Sequence, residues 1–143
     1  MMRSPILLLA AALLPLGASA ELSSTWTLTS DYVFRGVSQT AEDPALQGSI
    51  DYEGESGGYV GLWGSNVDFD NCCDEDVELN WYAGYAPEFE NGIGLDMGVI
   101  YYNYPGASGG LDYGEVYFGA SWKWLAATYY YTDNFFGIGE PAW

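Results

Sequence analysis

The sequence predicts an all-β protein: an antiparallel, transmembrane, up-and-down β-barrel of which about seven strands are present. Three observations predict it. Apolar and polar residues alternate with period two, where a helix would repeat near 3.6. The alternating segments run to about 9–11 residues, longer than the ~5–6 of an ordinary soluble strand and matched to a tilted strand crossing a bilayer. The connections alternate long and short, as in bacterial outer-membrane barrels with short periplasmic turns and longer outer loops.

Residues 1–20 read as a secretory signal peptide. Arg3 gives the short leading segment its charge, Ile6–Leu16 is apolar, and Ala18-Ser19-Ala20 is a small-residue cleavage site. The apolar run is too short to span ~30 Å as a helix. Residues 21–143 are then the barrel domain, with export to the bacterial outer membrane expected.

The strands follow in order. In the first, Trp26, Leu28, Tyr32 and Phe34 share a face, opposite Thr27, Thr29, Asp31 and Arg35. In the second, Leu46, Ile50 and Tyr52 oppose Gln47, Ser49, Asp51 and Glu53. The third, Tyr59 to Val67, is glycine-rich, and its faces are ambiguous. The fourth is the clearest: Val77, Leu79, Trp81, Ala83 and Tyr85 oppose Glu78, Asn80, Tyr82 and Gly84. The fifth sets Ile93, Leu95, Met97, Val99 and Tyr101 against Gly94, Asp96 and Gly98. The sixth sets Val116, Phe118, Ala120 and Trp122 against Glu115, Tyr117, Gly119 and Ser121. The seventh sets Leu125, Ala127, Tyr129 and Tyr131 against Ala126, Thr128, Tyr130 and Thr132. Aromatics near the segment ends, such as Trp26, Tyr52, Tyr85, Tyr101, Trp122 and Tyr131, fit interfacial girdles.

A single-chain bacterial barrel has an even number of strands, at least eight. Seven are read, and Gly137, Gly139 and Pro141 spoil the remainder as a closing strand. The chain is therefore expected to be the N-terminal portion of a longer barrel. An eighth strand in another register, or closure as a homo-oligomer, are the alternatives.

The expected pore lining is Asp31, Arg35, Asp51, Glu53, Glu78, Asp96 and Glu115, with Asp31 and Arg35 as an ion pair. Unpaired carboxylates are costly in a dry lumen, so a water-filled interior is expected. That favours a barrel wider than eight strands.

Composition removes other classes. Three Lys+Arg stand against twenty Asp+Glu, for a net charge of −17. Such a chain repels phosphate backbones, which argues against nucleic acid as a partner. There is no histidine, so Ser-His-Asp and Cys-His units cannot form, and neither can the usual zinc sites. With 6 Trp, 13 Tyr and 6 Phe the chain is too aromatic for an acidic disordered segment. No enzyme activity is expected.

Two candidate sites carry weaker signals. Asp68, Asp70, Asn71, Asp74 and Asp76 form the densest run of oxygen ligands, of the kind calcium takes. The EF-hand pattern is absent, and a solvated acidic loop, loosely bridged by divalent cations to lipopolysaccharide, is the plainer reading. No other cofactor is expected. Within that run Cys72 and Cys73 are adjacent; a vicinal disulfide, pairing between chains and free thiols all stay open. Asp51 and Glu53 share a strand face as a hydrolase pair might, but lumen-lining charge explains them better.

Three stretches carry a family resemblance: Ser30-Asp31-Tyr32-Val33-Phe34-Arg35-Gly36-Val37-Ser38-Gln39-Thr40, Gly58 to Val67, and Asp96 to Gly106. Together they resemble the TorF-type porins of proteobacteria. The resemblance implies an outer-membrane barrel and supplies no catalytic or ligand residues. The expected function is passive diffusion of small cationic or neutral solutes, with a preference for cations, in contact with outer-membrane lipid and lipopolysaccharide. The alternative is a non-conducting structural or adhesion barrel that acts through its outer loops; a secreted β-sandwich or lipocalin-like binder is the third.

Overall fold

The computed structural model describes residues 20–69, 75–107 and 110–143. The chain enters as β1 (Glu21–Thr29), followed by two short strands, β2 (Val33–Phe34) and β3 (Val37–Ser38). Six longer strands follow: β4 (Ala45–Glu53), β5 (Gly58–Asn66), β6 (Val77–Tyr85), β7 (Ile93–Asn103), β8 (Tyr113–Trp122) and β9 (Leu125–Tyr131). A single 3₁₀ turn, Phe135–Gly137, lies beyond β9.

Seven of these strands form one antiparallel sheet in the order β1-β4-β5-β6-β7-β8-β9. Each pairs with the next in sequence, which is the up-and-down pattern the periodicity predicts. The seven strands do not close on themselves. Among the described residues no pairing joins β1 to β9, so the sheet is an open, seven-stranded meander and not a closed barrel. After β9 the chain makes an isolated bridge, Thr132 to Ala142, and turns through Phe135–Gly137. Gly137 and Gly139 both have positive φ there, which breaks the extended backbone an eighth strand would need.

The expected alternation of connections holds. The long connections follow β1, β5 and β7 at one end of the sheet, and the short ones, 54–57, 86–92 and Lys123-Trp124, lie at the other.

The sheet has opposite polarity on its two faces. Leu28, Trp26, Ile50, Trp81, Val99, Phe118 and Tyr129 project from one face and are at least half exposed, Leu28 by 78%. The other face carries Glu78, Asn80 and Glu115, all almost fully buried. A soluble sheet packs its apolar face inward; this one does the reverse. The polar face is concave. Tyr59 on β5 and Tyr117 on β8 bring their hydroxyls into contact across two intervening strands. The short segment Tyr32 to Arg35 also touches Trp63 on β5, Glu78 on β6, Tyr102 on β7, Glu115 on β8 and Tyr130 on β9, five successive strands each ~4.8 Å from the next, which curvature brings within its reach. The sheet therefore curls around its polar face.

The first expected strand is corrected. The sheet strand ends at Thr29, and Tyr32 to Arg35 leave it for the β2–β3 hairpin. Asp31 accepts a hydrogen bond from the Ser38 hydroxyl at 2.6 Å, and the Gln39 N–H donates to the Tyr32 carbonyl at 2.7 Å. Phe34 pairs with Val37, so Arg35-Gly36 is a two-residue hairpin loop with φ of +47° and +86°. Glycine takes such a φ without cost; Arg35 does not.

Candidate functional site

The concave face holds two tiers of polar groups. The tier nearer the short turns is built from tyrosines laid over glycines. Tyr59 pairs with Gly84, Tyr82 with Gly61, and Tyr117 with Gly98 across neighbouring strands. In each pair the ring fills the space that a Cβ on the glycine would need. With no side chain opposite, the rings lie along the sheet and carry their hydroxyls across it. The Tyr59 hydroxyl reaches Asp96 at 2.6 Å. The Tyr82 hydroxyl reaches Asp51, which also accepts from Ser49 at 2.7 Å.

The tier nearer the long loops is covered by the β2–β3 hairpin. Tyr32 packs edge-on against Trp63 with ring centres 5.4 Å apart, and its hydroxyl lies 3.3 Å from Glu78 Oε1. Asn80 donates to the same oxygen at 2.7 Å. Arg35 places Nη2 2.8 Å from Oε2 of Glu115, which also accepts from Tyr102 at 3.2 Å. Its guanidinium carbon lies 4.8 Å from the Phe34 ring centre, 5.4 Å from Phe135 and 5.8 Å from Tyr130. Tyr102 and Tyr113 stack beside this pair with centres 4.5 Å apart, and form a small core with Tyr104. A cavity of about 260 Å³ remains between Tyr32, Phe34, Trp63, Asn80 and Tyr102.

The electrostatics follow from burial. Tyr32 and Tyr104, both outside the strands, have pKa values raised first by burial and then by the Glu78 charge. Burial lowers the Arg35 pKa, but the hydrogen bond and charge of Glu115 outweigh it, so the guanidinium ends above its ordinary value.

Residues 16–141 match the family described as a bacterial protein of unknown function, Gcw_chp. The chain belongs to the Gcw_chp family. No curated protein and no solved structure matches it.

In this Gcw_chp chain the expected lining residues divide. Asp51, Asp96, Glu78 and Glu115 face the concave side as read from the alternation. Glu53 shares that face, two positions from Asp51 and in register with Tyr59, and is exposed at the end of β4. Asp31 is part of the hairpin closure, and Arg35 pairs with Glu115 rather than with Asp31. Of the expected calcium ligands, Asp70, Asn71 and Asp74 lie outside the described residues, as do Cys72 and Cys73. The Asp68 N–H donates to the Gln39 carbonyl, and the Asp76 carbonyl accepts from Val67. Among the described residues no group of three or more acidic, Cys or His side chains could hold a metal.

The alternation missed the tyrosines. Tyr82 and Tyr117 are legible only as polar-phase positions, Tyr59 lies in a segment whose faces are ambiguous, and their glycine partners lie on other strands. A signal existed, since each sits in register with a glycine once the hairpins are drawn.

Proposed function

We propose that this chain forms part of a porin-like outer-membrane channel that prefers cations. The observation that carries the reading is the inverted polarity of the curled sheet. Its outward face is a continuous apolar surface of Leu, Ile, Val, Trp and Tyr, and its concave face is acidic and hydroxylic. A hydrocarbon surround and an aqueous interior would satisfy both faces. Five of the seven sheet strands are 9 or 10 residues long, β7 has 11 and β9 has 7, close to what a tilted strand needs to cross a bilayer. The likeness of Ser30–Thr40 to TorF-type porins points the same way. In this reading further strands complete a barrel across the β1 and β9 edges.

Charge supports the preference for cations. On the concave side Asp51, Asp96, Glu78 and Glu115 face one cation, Arg35, and Glu115 uses it. An acidic lumen raises the local concentration of cations and lowers that of anions. The test is conductance of the full-length protein in planar bilayers under a KCl gradient. A reversal potential of the sign set by K⁺ supports the reading, and one set by Cl⁻ overturns it.

A second reading has its own observation. The β2–β3 hairpin lies across the concave face and closes the tier nearer the long loops. A non-conducting barrel whose loops carry the function would look like this. It predicts no conductance from folded, bilayer-inserted protein, and none from a variant with residues 32–39 shortened to a tight turn. Conductance that rises in that variant assigns the hairpin as a plug.

A further inference from the structure

We propose that Glu115, Tyr130 and Phe135 form a binding site for the alkylguanidinium group of a small solute, occupied in this structure by the chain's own Arg35. The site does not depend on whether the protein conducts.

Four features of the site carry the inference. The first is an unfilled half of the recognition unit. The Glu115 side chain is fully buried, and its Oε2 takes Arg35 Nη2 and the Tyr102 hydroxyl. Its other oxygen, Oε1, is buried with no hydrogen-bond partner among the described residues. A guanidinium presents a planar fork that engages both oxygens of a carboxylate at once. Arg35 engages one. A free guanidinium, released from the geometry of a hairpin tip, has both oxygens to take.

The second feature is the choice of walls. Tyr130 and Phe135 lie 5.8 and 5.4 Å from the guanidinium carbon. Aromatic faces favour a flat, weakly hydrated cation over a compact, strongly hydrated ammonium. The third is room. Beside Arg35 opens a cavity of about 540 Å³ lined by Phe34, Phe69, Leu111, Phe136 and Trp143, enough for the remainder of a small solute. The fourth is the tether. Arg35 sits at φ +47°, where a side-chain-bearing residue is strained, on a hairpin whose strands pair over only two residue pairs. Arg35 is held in place by its connection to the chain as well as by its contacts. A tethered group competes at high effective concentration, so the solute is masked in the native chain.

The test uses the full chain folded in detergent, with methylguanidinium as probe and methylammonium as control, measured by calorimetry. Arg35→Ala empties the site. It is expected to bind methylguanidinium at least about tenfold more tightly than methylammonium, and more tightly than the native chain does. Adding Glu115→Gln to that variant should abolish the binding. A folded Arg35→Ala chain that binds neither probe, binds both alike, or keeps its binding without the Glu115 carboxylate overturns the proposal. If Arg35→Ala does not fold unaided, methylguanidinium alone should restore its folded yield; rescue by both probes, or by neither, overturns it too. Arginine amide and a short peptide with one internal arginine, run in parallel, separate a free solute from a peptide side chain as the natural source.

Discussion

Arg35 and Glu115 stand 80 positions apart in sequence, yet Nη2 of one lies 2.8 Å from Oε2 of the other. The contact joins the hairpin tip to the long-loop end of β8. The two partners are unequal: the Glu115 side chain is fully buried, and Arg35 keeps 35% of its side chain exposed. Removing the arginine leaves a buried carboxylate without its charge partner. Arg35→Ala should cost about 2–4 kcal/mol, below the full cost of breaking a wholly buried pair because Arg35 is partly solvated. Glu115→Gln should cost less, because it leaves the partly solvated group unpaired and no buried charge. Urea midpoints of the refolded proteins check the order; Glu115→Gln proving the worse of the two would contradict it.

The tyrosine and glycine pairs give a second prediction. The three atoms nearest a Cβ at Gly61 all belong to the Tyr82 side chain, whereas a Cβ at Gly58 meets nothing within 4 Å. Gly61→Ala should destabilise by about 1–3 kcal/mol through overpacking. Gly58→Ala should be near neutral. The two sites also differ in coupling. In a Tyr82→Ala background the cost of Gly61→Ala should largely vanish, because the group it displaces is gone. An undiminished cost there would mean that the backbone, not the ring, resists the methyl.

How far the sequence could be read depends on which residues are considered. Val116, Phe118, Ala120 and Trp122 declare their face because every alternate position is apolar and the intervening ones are not. Tyr59 to Val67 does not, since Tyr59 and Trp63 face inward while Val60 and Leu62 face outward, and period two cannot separate aromatic from aliphatic. The strand count was legible; closure was not, because it depends on what meets the β1 and β9 edges. Nearness on one strand pairs Arg35 with Asp31. Once Arg35-Gly36 makes a turn, that strand no longer exists, and its partner comes from β8. Local periodicity carries the sheet, and the long-range folding of the hairpin carries the site.

Tyr32 and Tyr104 set a pH dependence. An unperturbed tyrosine titrates near 10, and both are raised above that in the fold, first by burial and then by Glu78. The unfolded chain therefore releases these protons first. The folded state binds more protons above pH ~10, and stability falls as pH rises. Their contribution is complete below pH ~10 and is lost above it. Denaturation midpoints at pH 8 and pH 11 should show the fall, and Tyr104→Phe should fall less steeply than the native chain. Equal slopes would place the loss elsewhere.

The outward face offers the sharpest discrimination between a membrane protein and a soluble one. Val99 lies near the middle of β7, pairs with Ala83 and Val116, and is 53% exposed. Leu46, at the long-loop end of β4, is 57% exposed. If lipid covers this face, arginine at Val99 meets hydrocarbon and should cost about 2–4 kcal/mol, while arginine at Leu46 meets the interface and should cost about 0–1 kcal/mol. If water covers it, both substitutions sit on an exposed surface and should stay within about 0.5 kcal/mol of the native chain. Folding into lipid vesicles, followed by the heat-dependent shift in gel mobility, reads the difference. A Val99→Arg chain that folds as well as Leu46→Arg would remove the bilayer from the account, because side chains as exposed as these can differ by that much only through the depth at which they are immersed.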